Sequence, residues 1–239
     1  MMSIEGKPDT KIYRILSQEH FFQMFKEKKN VLVQPSQWRD KFENLVLQSP
    51  IKSFSSGGGD FSFRDDVYAQ CWTLDKESDA MWQIYSNGVN TVKIRTTVGK
   101  LINGLRNTSP PGGYCYISEV DYISETQLRE FVRNIFKCDM TIEDIARSLL
   151  VKRTPYEYEK EIRLIYIESE NKKKHEDDIY KYSIDPDDMI EQVVLNPCMS
   201  DYEYACFKDC VIKNTSLTDK QVKHSSLYQK PKGFFSEIP

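Results

Sequence analysis

The chain has 239 residues, 39% hydrophobic and 29% charged, which predicts one sizeable core in a soluble globular protein and excludes general disorder. Thirty-three basic against thirty-six acidic residues leave a formal charge of -3, so no global positive field draws the chain to nucleic acid or anionic lipid. No run approaches the roughly 18 apolar residues of a membrane span, and the opening MMSIEGKPDTKIYR has no apolar signal core, which predicts a cytoplasmic protein with no membrane partner.

Residues 11–16 read as a strand, 17–29 as a helix with Ser17 as N-cap, and 31–35 as a second strand. Residues 49–66 concentrate Ser and Gly without a period and read as a long loop, of the kind that often carries function. YAQCWTL at 68–74 reads as a buried strand. The next helix carries Met81, Trp82 and Tyr85, with Trp82 and Tyr85 expected on one face. A strand over 91–98 leads into a helix over 98–105, and 114–123 is a further strand. Two helices fill 124–150, broken near 138–141. YEYEKEIRLIYIES at 156–169 is the strongest strand pattern, followed by a charged turn at 172–178 and a return strand that would close a hairpin. A strand through IEQVVLNP and a helix over 201–208 complete one domain, 1–215. A tail, 216–239, either folds back as an edge strand or stays partly loose.

In a strand, Glu157, Glu159 and Glu161 would share one face. Three carboxylates in a row repel, so they mark either a water-facing edge strand or a site where crowding tunes acid chemistry. Arg163 follows them and Arg14 sits beside Tyr13 in the first strand; each is a strand arginine paired to an acid or a fork for phosphate or carboxylate. Trp38, Trp72, Trp82, Tyr85 and Tyr158 are core aromatics or stacking surfaces for a base or nicotinamide ring. The six cysteines form no CxxC pair and there are only three histidines, so no metal site is expected. Cys206 and Cys210, at helical i, i+4 spacing, read as small hydrophobes. GxGxxG, P-loop, GxSxG and HExxH motifs are all missing.

KIYRILS, VLVQPSQWRDKFEN, QCWTLDKESDAMWQIYS, YEYEKEIRL and EQVVLNP, in this order over about residues 11–200, resemble the successive motifs of the domain-of-unknown-function family 2971 of bacteria and phages. Trp38, Asp40, Phe42 and Glu43 match its motif near the second strand, where Arg39 and Lys41 depart from it. Met81, Trp82 and Tyr85 match a second motif, with Ile84 where a histidine is frequent, and Tyr158, Glu159, Glu161 and Arg163 match a third.

A looser resemblance, in the order of a basic first strand, a middle strand ending in Ser or Thr and a late Glu-x-Glu, is to ADP-ribosyltransferases. It implies an α+β fold with a split, mostly antiparallel sheet and flanking helices, and NAD as substrate. By this resemblance Arg14 and Tyr13 contact NAD, Thr73 shapes the nicotinamide pocket, Trp82 or Tyr85 stacks on the ring, and Glu161 with Glu159 upstream is catalytic. Trp38, Asp40 and Arg163 are further candidates. The function implied is an NAD-consuming, ADP-ribosyltransferase-like effector or NAD glycohydrolase, a toxin or phage-conflict protein, with a protein or nucleic-acid acceptor for the transfer. Two other readings are a non-catalytic module binding a nucleotide or protein, and a metal-dependent nucleic-acid-processing protein using Asp40, Glu43 and Glu161.

Overall fold

Apolar alternation and a serine cap set the first elements of the computed structural model, which describes residues 4–48, 64–86, 88–137, 140–168, 175 and 178–229. Strand β1 (Lys11–Ser17) buries Ile12 and Leu16. Ser17 then accepts from the His20 amide at 3.1 Å and starts α1 (Gln18–Glu27), which buries Phe21, Met24 and Phe25. Strand β2 (Lys29–Val33) follows, then a 3-10 turn Lys41–Asn44 capped by Asp40 and the short α2 (Leu45–Gln48). Strand β3 (Val67–Thr73) leads to α3 (Asp79–Tyr85), β4 (Thr91–Thr97) and α4 (Val98–Thr108).

Strands β5 (Tyr114–Glu119) and β6 (Asp121–Ile123), helices α5 (Glu125–Ile135) and α6 (Ile142–Ser148), and β7 (Val151–Arg153) come next. Strand β8 (Glu161–Ile167), β9 (Ile179–Ser183), α7 (Pro186–Met189), β10 (Gln192–Leu195), α8 (Asp201–Asn214) and β11 (Val222–His224) complete the described chain.

The fold is a mixed α and β arrangement around a mostly antiparallel sheet with flanking helices, as expected. Its strands run β11-β10-β4-β1-β3-β2-β9, with β8 on β3 and β5 on β8. Only β10 with β11 is parallel in this sheet; β6 and β7 form a separate parallel pair. One core lies among β1, β4, α1, α4 and α8, and a second lies where α2 and α6 cover β3 and β8.

The connection that positions the site is the edge of β3 away from β8. Strand β1 meets it through Tyr13 opposite Thr73, and β2 through Val33 opposite Ala69. By contrast β1 pairs with β4 along its whole length, as β3 does with β8. Strands β1 and β2 therefore open away from each other across β3. Side chains bridge the gap below: the Gln70 amide donates to Asn30 Oδ1 at 2.8 Å and to the Val31 carbonyl at 2.8 Å, while Asn30 donates to Gln70 Oε1 at 3.2 Å and to Tyr182 Oη at 2.7 Å.

Several expectations are corrected. The strand expected from residue 156 begins at Glu161: Thr154–Glu159 is a 3-10 helix with Pro155 in its first turn, and Lys160 takes a left-handed conformation at φ 43°. Glu157, Glu159 and Glu161 thus do not share a strand face. Nor is β8 an edge strand, since it lies between β3 and β5 with all seven residues buried. The expected hairpin is absent as well: β8 and β9 do not pair, and β9 joins β2. The strand expected over 114–123 is divided into β5 and β6, and the last helix runs on to Asn214. The tail folds back through β11 as an edge strand on β10. Of the expected long loop, 49–63 lies outside the described residues, as do most of the charged turn at 172–178, residues 138–139 of the expected helix break, and the tail beyond 229.

Candidate functional site

A cavity of about 240 Å³ opens where β1 and β2 part over β3. Tyr13 and Arg14 border it from β1, Cys71 and Thr73 from β3, Tyr85 from α3 and Trp38 from the turn after β2, with Glu159 and Glu161 on its far wall. Four of the five stretches that the motifs singled out thereby border one cavity.

The acidic wall is part of a buried ion cluster. Arg163, fully buried, donates from Nε to Glu161 Oε1 at 2.7 Å and from Nη2 to Glu161 Oε2 at 2.9 Å. It also donates to the Leu149 carbonyl at 2.6 Å and to Glu43. The Arg163 guanidinium lies 4.3 Å over the Trp38 ring. Lys152, from β7, reaches Glu159 at 2.5 Å, Glu161 at 3.1 Å and Glu43 at 3.2 Å. Three carboxylates thus surround two cations, leaving one negative charge uncompensated at the cavity wall.

The cluster sets the ionisation of its members. Burial disfavours the charged form of Glu161, but Arg163 and then Lys152 outweigh it and hold the carboxyl down at about 2. Burial pushes Glu159 up from the ordinary glutamate range, against the hydrogen bond from Lys152 and with repulsion from Glu161 adding to the rise. The Tyr85 hydroxyl donates to Glu159 Oε1 at 3.0 Å, and burial beside that carboxylate raises the phenol. Burial raises the Cys71 thiol, which borders the cavity, and the negative charge of Glu161 adds to the rise.

Arg14 has no ion pair or hydrogen bond among the described residues, and desolvation lowers its pKa. It borders both this cavity and a second one of about 260 Å³ along α1, with Val31 and Val33 shared between the two. An unpartnered guanidinium between two cavities is suited to hold an anion.

The other predicted residues have structural partners. Thr73 Oγ1 donates to the Glu159 carbonyl at 2.6 Å and accepts from the Asp75 amide at 2.9 Å, bracing the 3-10 helix at the cavity edge. Trp82 does not border the cavity: its ring is buried, its Nε1 donates to Glu77 at 2.6 Å, and Lys93 lies over it at 5.2 Å. At helical spacing Met81 and Tyr85 share the cavity face, one residue out of step with Trp82. Asp40 caps the 3-10 turn through the Phe42 amide and pairs with Arg153 at 2.9 Å, away from the cavity. Arg163 is committed to Glu161 and Glu43 and offers no fork to a ligand.

Among the described residues no group of three His, Cys, Asp or Glu side chains is placed to hold a metal. The carboxylates of the metal-dependent reading are instead neutralised by Lys152, Arg153 and Arg163. No helix among the described residues is long and apolar enough to cross a membrane. Lys152, which joins the cluster, carried no motif; its only sequence signal is a lone lysine in the apolar run LLVKR.

No family model matches the chain, family 2971 included, and no curated protein matches it. Among solved structures it is similar to Thermus sp. 2.9 DarT in complex with NAD+, at 10% identity and a TM-score of 0.41, over 92% of this chain and 96% of that one. The same protein in complex with ADP-ribosylated ssDNA matches at 9% identity and a TM-score of 0.41, over 91% and 94%. Its complex with carba-NAD+ matches at 11% and 0.40, over 92% and 96%. Overlap at this level leaves the reading of the site to its own geometry.

Proposed function

We propose that the chain is an NAD-consuming, ADP-ribosyltransferase-like enzyme whose substrate enters the opening between β1 and β2. The single observation that carries this reading is the meeting of unpartnered Arg14 with the acidic wall of Glu159 and Glu161 around one cavity. At about 240 Å³ the cavity is smaller than the ~300 Å³ at which pockets for whole drug-sized ligands begin, so it suits one ring and its sugar. The remainder of a dinucleotide would pass Arg14, which binds the pyrophosphate, toward the second cavity.

Trp38 and Tyr85 flank the ring and exclude water from it. The bond between the nicotinamide nitrogen and ribose C1′ breaks, its electron pair leaves with nicotinamide, and a nucleophile from a protein or nucleic-acid acceptor, or water, bonds to C1′ and releases its proton to solvent. Positive charge builds on the sugar during that step. The uncompensated negative charge of the cluster is fixed beside it in a low-dielectric wall, where such stabilisation is strongest.

The test is nicotinamide release from NAD by the purified chain. Release is expected, and Arg14→Gln is expected to reduce kcat/KM by about ten- to a hundredfold, the worth of a charge-assisted hydrogen bond. Absence of release with protein or nucleic-acid acceptors present, together with no thermal shift on adding NAD, would reject the reading.

A further inference from the structure

We infer that Glu159, and not Glu161, is the carboxylate that touches the reacting sugar, and that Glu161 is a positioning residue; this rests on the proposed site but separates two acids it treats together. A carboxylate has about four acceptor positions. Three of those of Glu161 are taken by Arg163 Nε, Arg163 Nη2 and Lys152 Nζ. Glu159 accepts from Lys152 at Oε2 and from Tyr85 at Oε1 and keeps two positions open. Lys152 donates to Glu159 and Glu161 and pairs with Glu43 at 3.2 Å. Of the two acids that border the cavity, Glu159 is therefore the less saturated, and it lies opposite Arg14, the unpartnered cation of the described wall.

Local backbone produces this arrangement. The left-handed turn at Lys160 swings Glu159 off the line of β8, so that two acids two positions apart approach the same ammonium from different directions. Thr73 fixes the Glu159 carbonyl from below. The exposed ring of Tyr85 closes the outer side, so its hydroxyl is the group a sugar hydroxyl would displace or share.

Glu159 is faced by Tyr85 from α3, Lys152 from β7, Tyr122 from β6, neighbouring Tyr158, and Glu161 from β8. Replacing Glu161 by Gln removes a like charge that raises Glu159. The acid limb of the kcat profile is then expected to move to lower pH, which a merely structural role for Glu161 would not cause. Glu159→Gln is expected to lower kcat about a hundredfold or more with KM for NAD little changed.

A second measurement needs neither turnover nor a variant that folds. Carboxyl carbon resonances of the wild-type chain are followed by NMR while 1-methylnicotinamide, a permanent ring cation, is added. The Glu159 resonance is expected to move and that of Glu161 to stay. Movement of Glu161 alone, or full turnover by Glu159→Gln, overturns the assignment while leaving NAD consumption intact. Absence of nicotinamide release by the wild type counts against the reaction itself, and the titration then still reports which acid meets a ligand.

Discussion

Arg163 shows how much a single side chain holds in this site. Its guanidinium, fully buried, neutralises Glu161 and Glu43, from two segments 120 positions apart for the second pair. Arg163→Met leaves both carboxylates buried with too few cations, and the expected loss is about 3–5 kcal/mol, read as a fall in the guanidinium midpoint. Acid dependence has a definite sign. Glu161 titrates at about 2 in the folded chain against 4.5 ordinarily, so its contribution is complete above the ordinary value and is lost as pH falls through the folded one. Glu159, shifted upward, acts oppositely: its ionisation costs stability, which protonation restores. Urea unfolding across a pH series is expected to show stability falling below about pH 4.5, and Glu159→Gln to be at least as stable as the wild type at neutral pH. At this scale the motif residues were legible: Glu159, Glu161, Tyr85 and Arg14 all border the cavity. Lys152 and Glu43 as partners were not, because ion pairing across distant segments leaves no period in the chain.

Elements were read better than their neighbours. Hydrophobic patterning located β1, β3 and β4 to within a few residues, and the end of β8 though not its start, since one strand's pattern is local. Pairing is not. The charges of EYEKEIRL suggested an edge, yet β8 is central, because cations from β7 and from β8 itself pay the desolvation cost of its acids. The 3-10 helix had a visible signal in Thr154-Pro155, a residue pair that starts helical turns and interrupts strands. The opening between β1 and β2 had none. It depends on the Asn30–Gln70 amide pair, which joins β2 to β3 where few backbone bonds do. Gln70→Leu strands Trp72 Nε1, whose partner at 2.7 Å is Gln70 Oε1, and leaves the Asn30 side chain held only by Tyr182 and the Val31 amide. A cost of about 1–3 kcal/mol per stranded group is expected, with faster amide hydrogen exchange in β2 than in β8.

Over the whole molecule, the chain's last described strand closes the sheet. Leu217 and Val222 are buried in the main core, and β11 covers the free edge of β10. Removing residues 216–239 is expected to cost about 3 kcal/mol or more from those two side chains alone, lowering Tm and exposing an edge that promotes aggregation in light scattering. Composition left the tail either folded back as an edge strand or partly loose, and β11 takes the first course with Leu217 and Val222 as its buried anchors.

The wide spacing of the cluster also orders events during synthesis. Glu43 leaves the ribosome 120 residues ahead of Arg163, an interval of roughly ten seconds at ordinary translation rates. Until Arg163 emerges, the nascent chain has neither the strand that lines the far side of β3 nor the cation that lets its acids be buried. No amino-terminal fragment ending before that residue can therefore assemble the pocket wall with its ion cluster.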